Sequence, residues 1–359
     1  MREMAATSDD VARMAGVSTA TVSRALRGVN GVNARTRERV LAAADELGYV
    51  SSPAASRLAG GPTGTVAVVV PFITRWFFSE VISGAEEVLR DRGVDLLLYN
   101  LGHVKGRERY FSGEALRRRA DAVLVLCLPL SDAELAALGG ARIPVVLVGA
   151  NVGDCPSVRI DDVAGARTAV QHLVNLGHER IALISGTPGD PMGFTTQFDR
   201  RQGYRETLAA AGLPADPELD VGGDFTVEGG ERAMAQLLSR PNPPTAVFAE
   251  SDEMAFGALR ILRHAGLSAQ DISLIGFDDH ALADLMDLTT IAQPVRKQGA
   301  RAAQLLLDVL DGRGGERRIT MPTQLIVRGT TRPAGRASPA PEKPGSPRAR
   351  RGAGGTTHS

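Results

Sequence analysis

Cysteine is scarce in this 359-residue chain: Cys127 sits inside the apolar run VLVLCLPL and Cys155 in a loop, with no CxxC spacing and no histidine cluster nearby. Such sparing use fits a reducing compartment, and Cys127 reads as a buried inert thiol rather than a metal or redox group. Long apolar runs are missing too. None approaches the ~20 residues that a membrane span requires, and the opening MREMAATSDD has no apolar core of the kind a secretory signal carries. The expectation is a cytoplasmic protein with no membrane partner. The six histidines are scattered, and no P-loop, GxSxG, HExxH or metal-ligand spacing occurs. No enzyme activity, metal or cofactor is therefore expected. Net charge is also lacking, at zero. That zero conceals a segregation: residues 1–61 carry +2, residues 333–359 carry +4, and the remainder carries −6. Contact with a polyanion would have to be local.

What remains is ordinary globular material, 43% apolar and 23% charged, long enough for two or three domains. Residues 1–50 are helical in pattern and rich in Ala and Arg. Residues 51–62 are a hinge helix and linker that run into LAGGPTG, residues 58–64, whose glycines and proline mark the linker. Residues 63–332 alternate β-branched runs (TVAVVV, DAVLVLCL, PVVLV, RIALISG, TAVFAE, ISLIGF) with amphipathic stretches. Fully apolar strands between helices imply parallel sheets covered on both faces, and two such series imply two doubly wound lobes with ligand sites at the carboxyl ends of strands. The last residues, 333–359, are Pro, Gly, Ala and Arg with little to bury, a disordered basic tail read as a solvated extension rather than a DNA-binding arm.

The stretch SDDVARMAGVSTATVSRALRG, residues 8–28, predicts two short helices. Ser8 is placed to cap the first, Gly16 breaks it, Ser18 caps the second and Gly28 stops it. At ~100° per residue, Val22, Ala25 and Leu26 fall on one face, while Thr19, Ala20, Ser23, Arg24 and Arg27 share the opposite one. A third helix over residues 34–47 supplies Val40, Leu41, Ala44 and Leu47 to close a three-helix core. The outward face suits a major groove, where arginine bonds guanine bidentately and alanine or the threonine methyl meets thymine. Periodicity alone fits an ordinary helical hairpin with a solvated face equally well.

Ordered motifs separate the two readings. DDVARMAGVSTATVSRALRG, VNARTRERVLAAADELGYV and RLAGG are followed by FFSEVISGAEEVLRDRGVDLLLYN, HLVNLGHERIALISG, RRQGY, SDEMAFGALR, ISLIGFDD and LTTIAQP. Together they resemble the LacI/GalR family of bacterial transcriptional regulators over residues 7–332. The resemblance implies an all-α helix-turn-helix headpiece plus an α/β core like that of periplasmic binding proteins, with an N-lobe of about 63–163 and 292–321 and a C-lobe of about 164–291 and 322–330. It implies a homodimer on near-palindromic double-stranded operator DNA, acting as a repressor and controlled by a small-molecule effector. Thr19, Ala20 and Arg24 take base-reading positions, and Thr7, Ser18, Ser23, Asn33, Thr36 and Tyr49 backbone-contacting ones. In the hinge, Ala55 reads the minor groove and Leu58 wedges into it. The hinge departs from the family pattern, since Tyr49-Val50-Ser51-Ser52-Pro53 replaces Tyr-x-Pro-Asn.

For the effector, the resemblance points to Phe72, Arg75, Phe77, Thr196, Arg200, Phe225, Ser251, Asp278 and Gln293. Simpler roles stand beside these: Phe225 in the core, Asp278 as a turn or cap, Arg200 in a surface ion pair, Arg75 in solvent. Gly149 of PVVLVG occupies a position that is often acidic in the family, and PFITRWFF, with Phe72, Arg75 and Trp76, lacks the Asp common in that stretch and brings an arginine. Two acids lost and one arginine gained imply a sugar phosphate, a sugar acid or a ligand with an apolar part rather than a plain neutral sugar. The main alternative is a cytoplasmic small-molecule binding protein without DNA function.

Overall fold

The structure, a computed structural model, describes residues 6–26, 31–49, 62–103, 107, 111, 116, 119–140, 142–186, 189–190 and 192–335. The expected hinge residues Ala55 and Leu58 lie outside these, as do Arg27 and the tail beyond residue 335.

Three helices, α1 (Ser8–Ala15), α2 (Thr19–Leu26) and α3 (Ala34–Glu46), form the first unit. Val11, Ala12, Ala15, Val22, Ala25, Val40, Ala43 and Ala44 make its core. Two sequence expectations change. The N-cap of α1 is Thr7, not Ser8, in a reciprocal capping box with Asp10. Leu41 is 46% exposed. With Val40 pointing inward, the next inward positions on a 3.6-residue helix are Ala43 and Ala44 rather than Leu41.

Strands β1 (Thr65–Val70), β2 (Asp95–Asn100), β3 (Ala122–Leu126), β4 (Val145–Val148), β5 (Ser157–Ile160) and β11 (Arg318–Met321) form one sheet, ordered β11-β5-β4-β3-β1-β2. All its pairs are parallel. The second sheet holds β6 (Ile181–Ser185), β7 (Asp220–Gly222), β8 (Ala246–Ala249), β9 (Ser273–Asp278), β10 (Thr289–Ala292) and β12 (Gln324–Ile326), ordered β12-β10-β9-β8-β6-β7. Only edge strand β12 runs antiparallel. The chain passes between sheets three times: after β5, after β10, and between β11 and β12.

The helices are α4 (Trp76–Asp91), α5 (Asp132–Gly140) and α10 (Val295–Leu310) on the first lobe, and α6 (Asp162–Asn175), α7 (Thr196–Ala210), α8 (Val227–Leu238) and α9 (Asp252–His264) on the second. The strands β1, β3, β6, β8 and β9 are buried almost throughout because helices cover both faces of each sheet. Where α4 crosses α10 the backbones touch. A Cβ on Gly84 would stand 1.9 Å from the Arg296 carbonyl oxygen, and one on Gly299 1.9 Å from that of Val81. No larger residue fits at either position, so the two helices form one tight unit.

Candidate effector cavity and DNA-reading helix

Thr19, Ala20 and Arg24 lie exposed on α2, with Ser23 half-buried beside them. Arg24 Nε donates to the Ala20 carbonyl at 3.2 Å, which lays the arginine stem along the exposed face. Ser18 Oγ accepts from the Thr21 backbone N–H at 3.2 Å and lies 2.9 Å from Thr21 Oγ1, as a cap does. Asn33 Oδ1 caps α3 through the Thr36 N–H at 2.8 Å. Thr7 Oγ1 is engaged by Asp10 at 2.6 Å. Tyr49 is half-buried against the three-helix core. Several polar residues assigned to DNA thus also hold the helix ends.

A cavity of about 70 Å³ lies between the two lobes, lined by Arg75, Phe77, Phe78, Cys127, Phe194, Thr196, Arg200, Phe225, Ser251, Glu253 and Asp278. These residues come from the ends of β3, β8 and β9, the turn after β7, the loop before α7, and the opening turns of α4, α7 and α9, where a doubly wound sheet leaves its crevice.

Phe72 and Gln293 are not in the wall. Phe72 packs edge-on to Phe194 with ring centroids 6.4 Å apart and carries the Arg75 guanidinium 4.5 Å above its ring. Gln293 is buried behind Asp278, donating to Asp278 Oδ1 at 2.6 Å and accepting from Gln298 at 2.9 Å. Each holds a wall residue rather than forming the wall. Phe78, Cys127, Phe194 and Glu253 were missed. Phe78 and Glu253 lie inside the motifs FFSEVISGAEEV and SDEMAFGALR, within two residues of the expected Phe77 and Ser251. Cys127 and Phe194 reach the cavity only because a strand end and a crossing loop meet there, and their local sequence carries no sign of it.

The inner end is built on Arg200, which is 4% exposed. Its Nε donates to Asp162 Oδ1 at 2.8 Å, its Nη1 to the Glu250 carbonyl, and its guanidinium lies 3.6 Å from the centroid of the Phe277 ring. The Asp278 carboxylate is 3.8 Å away. Burial works against the charge of Arg200, but Asp162 and Asp278 outweigh it and raise its pKa. Burial likewise pushes Asp278 well above the usual carboxylate range, against the pull of Arg200. Glu250, fully buried behind the wall, is pushed up to about 8. Asp278 has φ 127° and Phe225 φ 52°, conformations that L-residues seldom hold without support.

Ser251 caps α9, its Oγ accepting from the Met254 N–H at 3.3 Å. Cys127 is buried as expected, its thiol driven by burial to about 12, yet it forms part of the wall. A Cβ on Gly149 would lie 2.7 Å from its sulfur. No side chain fits at residue 149 while Cys127 keeps its place. Nearer the mouth, Arg75 Nη2 donates across the cleft to the Asp224 carbonyl at 3.1 Å. Burial disfavours its charge, partly offset by Glu253, Asp190 and Asp224.

A two-lobe ligand-binding core joined in one chain to a helix-turn-helix unit defines a class: DNA-binding regulators that read a small molecule. The chain matches the family described as "Bacterial regulatory proteins, lacI family" over residues 7–52, and the "Periplasmic binding protein-like domain" over residues 170–331. It is 40% identical over 339 residues to the HTH-type transcriptional repressor CytR of Escherichia coli (strain K12), covering 92% of this chain and 98% of that protein. To the HTH-type transcriptional regulator CelR of Thermobifida fusca it is 37% identical over 331 residues, covering 89% and 96%. A lac repressor dimer bound to operator and the anti-inducer ONPF superimposes with a TM-score of 0.77 at 29% identity, covering 91% and 99%. A CelR–cellobiose complex does so with a TM-score of 0.68 at 36% identity, covering 90% and 99%. The chain belongs to the LacI family of bacterial transcriptional regulators. It is a DNA-binding regulator, not an enzyme. Among the described residues no helix is long and apolar enough to cross a membrane.

Proposed function

We propose that this protein is a repressor that binds a near-palindromic operator as a homodimer and is switched by a small sugar-like effector held between its lobes. One observation carries the reading. The exposed Thr19, Ala20 and Arg24 face and a cavity ending in a buried Arg200–Asp278 pair occur in the same chain. The dimeric, operator-bound lac repressor and the cellobiose complex of CelR, both alike over most of their length, support it.

Within this reading Thr19, Ala20 and Arg24 select bases, and Thr7, Ser18, Ser23, Asn33, Thr36 and Tyr49 contact the DNA backbone, with Ala55 and Leu58 serving in the hinge. A buried arginine beside a carboxylate offers donor and acceptor together, which is what vicinal hydroxyls need, and Phe225 offers a flat apolar face to a ring. Arg75 distinguishes the effector further. Its guanidinium is largely desolvated, and its only hydrogen bond among the described residues is to a carbonyl. A phosphate or carboxylate on the effector would pair with it. Thr196, Ser251 and Phe77 complete the binding wall, with Phe72 and Gln293 behind it. The lobes divide near residues 163, 292 and 321, and the protein acts in the cytoplasm.

The test is a gel shift of the full chain on a palindromic duplex with a central CG step against a scrambled duplex, at two salt concentrations. Cellobiose, a sugar phosphate and a sugar acid are added in turn. Specific binding that survives the higher salt and is changed by one of the three supports the proposal. Binding equally weak on both duplexes would remove it and favour a binding protein without DNA function. Calorimetry then ranks the ligands; tighter binding of the neutral sugar than of its charged counterparts would sink the role given to Arg75.

A further inference from the structure

Arg107 lies in the first lobe, between β2 and β3, and is not among the residues that line the cavity. Its guanidinium nevertheless ties together two segments, one from each lobe, that supply Cys127 and Phe194 to the wall. Glu134, near the start of α5, receives it as a fork: Nε donates to Oε1 at 2.7 Å and Nη2 to Oε2 at 2.8 Å. The two side chains are 15% and 17% exposed. The Ser131 N–H and Oγ, at 2.8 and 2.9 Å, hold Glu134 Oε2 in turn. The N–H groups left over reach two main-chain carbonyls. Nη2 donates to that of Pro129, two residues after Cys127 on the chain leaving β3. Nη1 donates at 3.0 Å to that of Met192, two residues before Phe194 on the second-lobe chain between β6 and α7.

The Met192 segment belongs to the second lobe by chain connection and to the first by packing. Met192 and Phe194 are buried in the hydrophobic core of the first lobe. Phe194 meets the rings of Phe72 and Phe78 at centroid distances of 6.4 and 6.5 Å. Gly193, at φ 73°, lets the main chain lie against Pro129, whose Cγ would be 3.6 Å from a Cβ at residue 193. Asp190 shapes this turn: its Oδ1 accepts from the Met192 N–H and its carbonyl from the Gly193 N–H, both at 2.9 Å. Apolar contacts keep Phe194 buried but are non-directional. Hydrogen bonds from one guanidinium to a carbonyl on each segment fix where one stands along the other. An arginine can do this because its rigid fork presents several N–H groups in one plane, which an ammonium lacks.

We infer that Arg107 is a positioning residue of the binding wall: held by Glu134, it sets Phe194 of the second lobe against the Cys127 end of β3 and so fixes the shape of the cavity on that side without touching its contents. What this wall is for rests on the reading of the cleft as the effector site, whereas the clamp itself stands on the bonds above. Loss of the clamp frees the Met192–Phe194 segment from Pro129. The wall then loosens beside Cys127, with the lobes as a whole staying where they are.

Cys127 reports the state of this wall. With Cys155→Ser as the background it is the only thiol in the chain. Its rate of modification by methyl methanethiosulfonate is measured in the full chain, without DNA or ligand, at several urea concentrations below the unfolding transition. Removing hydrogen bonds donated by a part-buried charge is expected to speed the reaction roughly tenfold or more in Arg107→Ala. Arg107→Lys keeps the charge but cannot span Glu134 and both carbonyls, so its rate should fall between. Arg92→Ala removes a surface arginine paired with Asp311 and should match the background protein. A local opening exposes little surface, so the gain should not depend on urea, whereas a global loss of stability raises the rate with the full urea slope. An unchanged rate in Arg107→Ala, or a gain that carries the full slope, would overturn the inference. If that variant does not fold, Arg107→Lys decides: a urea-independent gain supports the clamp, and any other result counts against it. Loss of operator specificity in the gel shift would count against the regulator reading and leave this result standing.

Discussion

The guanidinium of Arg200 bonds Asp162 at 2.8 Å and stands 3.8 Å from Asp278, all three side chains being about a tenth exposed or less. One cation thus serves two buried carboxylates, and only one of them, Asp278, lines the cavity. Asp162 fixes the guanidinium and leaves Asp278 the partner better placed to share it with a ligand. Removing the arginine strands both acids. Arg200→Ala is expected to destabilise the core by ~3–5 kcal/mol, measured by urea denaturation. Arg200→Lys keeps the charge but loses the fork that spans Asp162 and the Glu250 carbonyl, so it should fold better than the alanine variant and still bind effector poorly.

Arg24 tests the other end of the molecule. It is exposed and its Nε bond to Ala20 lies within its own helix, so Arg24→Ala should leave the melting temperature unchanged. Its loss from a bidentate base contact should weaken specific operator binding by ~1–3 kcal/mol and relax selectivity at one base pair. Competition gel shifts with single-base operator variants measure this; uniform weakening on every sequence would make Arg24 a phosphate contact instead.

Stability should fall as pH rises from the acid range toward pH 9. Burial raises Glu250 from 4.5 to about 8 and Asp252 from 3.8 to about 6, and raises Asp162 and Asp278 as well. Each of these acids binds its proton more tightly folded than unfolded. Their contribution is complete below pH 4 and is lost as pH passes the raised values, the last part near pH 8 with Glu250. Glu250→Gln keeps an acceptor for the Gly186 N–H, which now bonds Oε2 at 2.8 Å, and carries no proton to lose. Urea midpoints from pH 5 to pH 9 should therefore decline less steeply in this variant, and it should exceed the unaltered protein at pH 9.

Gly149 and Cys127 are expected to be coupled. Gly149→Ala places a methyl 2.7 Å from the Cys127 sulfur at φ 70°, which should cost ~1–3 kcal/mol by overpacking in addition to backbone strain. Cys127→Ala in the same chain removes the clash but not the strain. The double variant should recover part of the lost melting temperature, and simple additivity would show that the two side chains do not compete for one space.

Much of this protein is legible in the chain itself. The β-branched runs TVAVVV and AVLVL have one good arrangement, parallel and covered on both faces, because every residue in them after Thr65 is apolar. The small face of VARMA and the capped TATVSRAL encode a helix pair through local rules that act over three or four residues. The ordered motifs carried the family and seven of the eleven wall residues. Tertiary structure decided what depends on distance between segments. Leu41 yields its core place to Ala43, and Phe72 and Gln293 stand behind the wall rather than in it. Cys127 is a wall residue because the end of β3 happens to face α7, and the small size demanded at residue 149 follows from that sulfur. Hydrogen bonds and van der Waals contacts act over a few ångströms, and the neighbours that matter here are brought together only by the packing of two lobes.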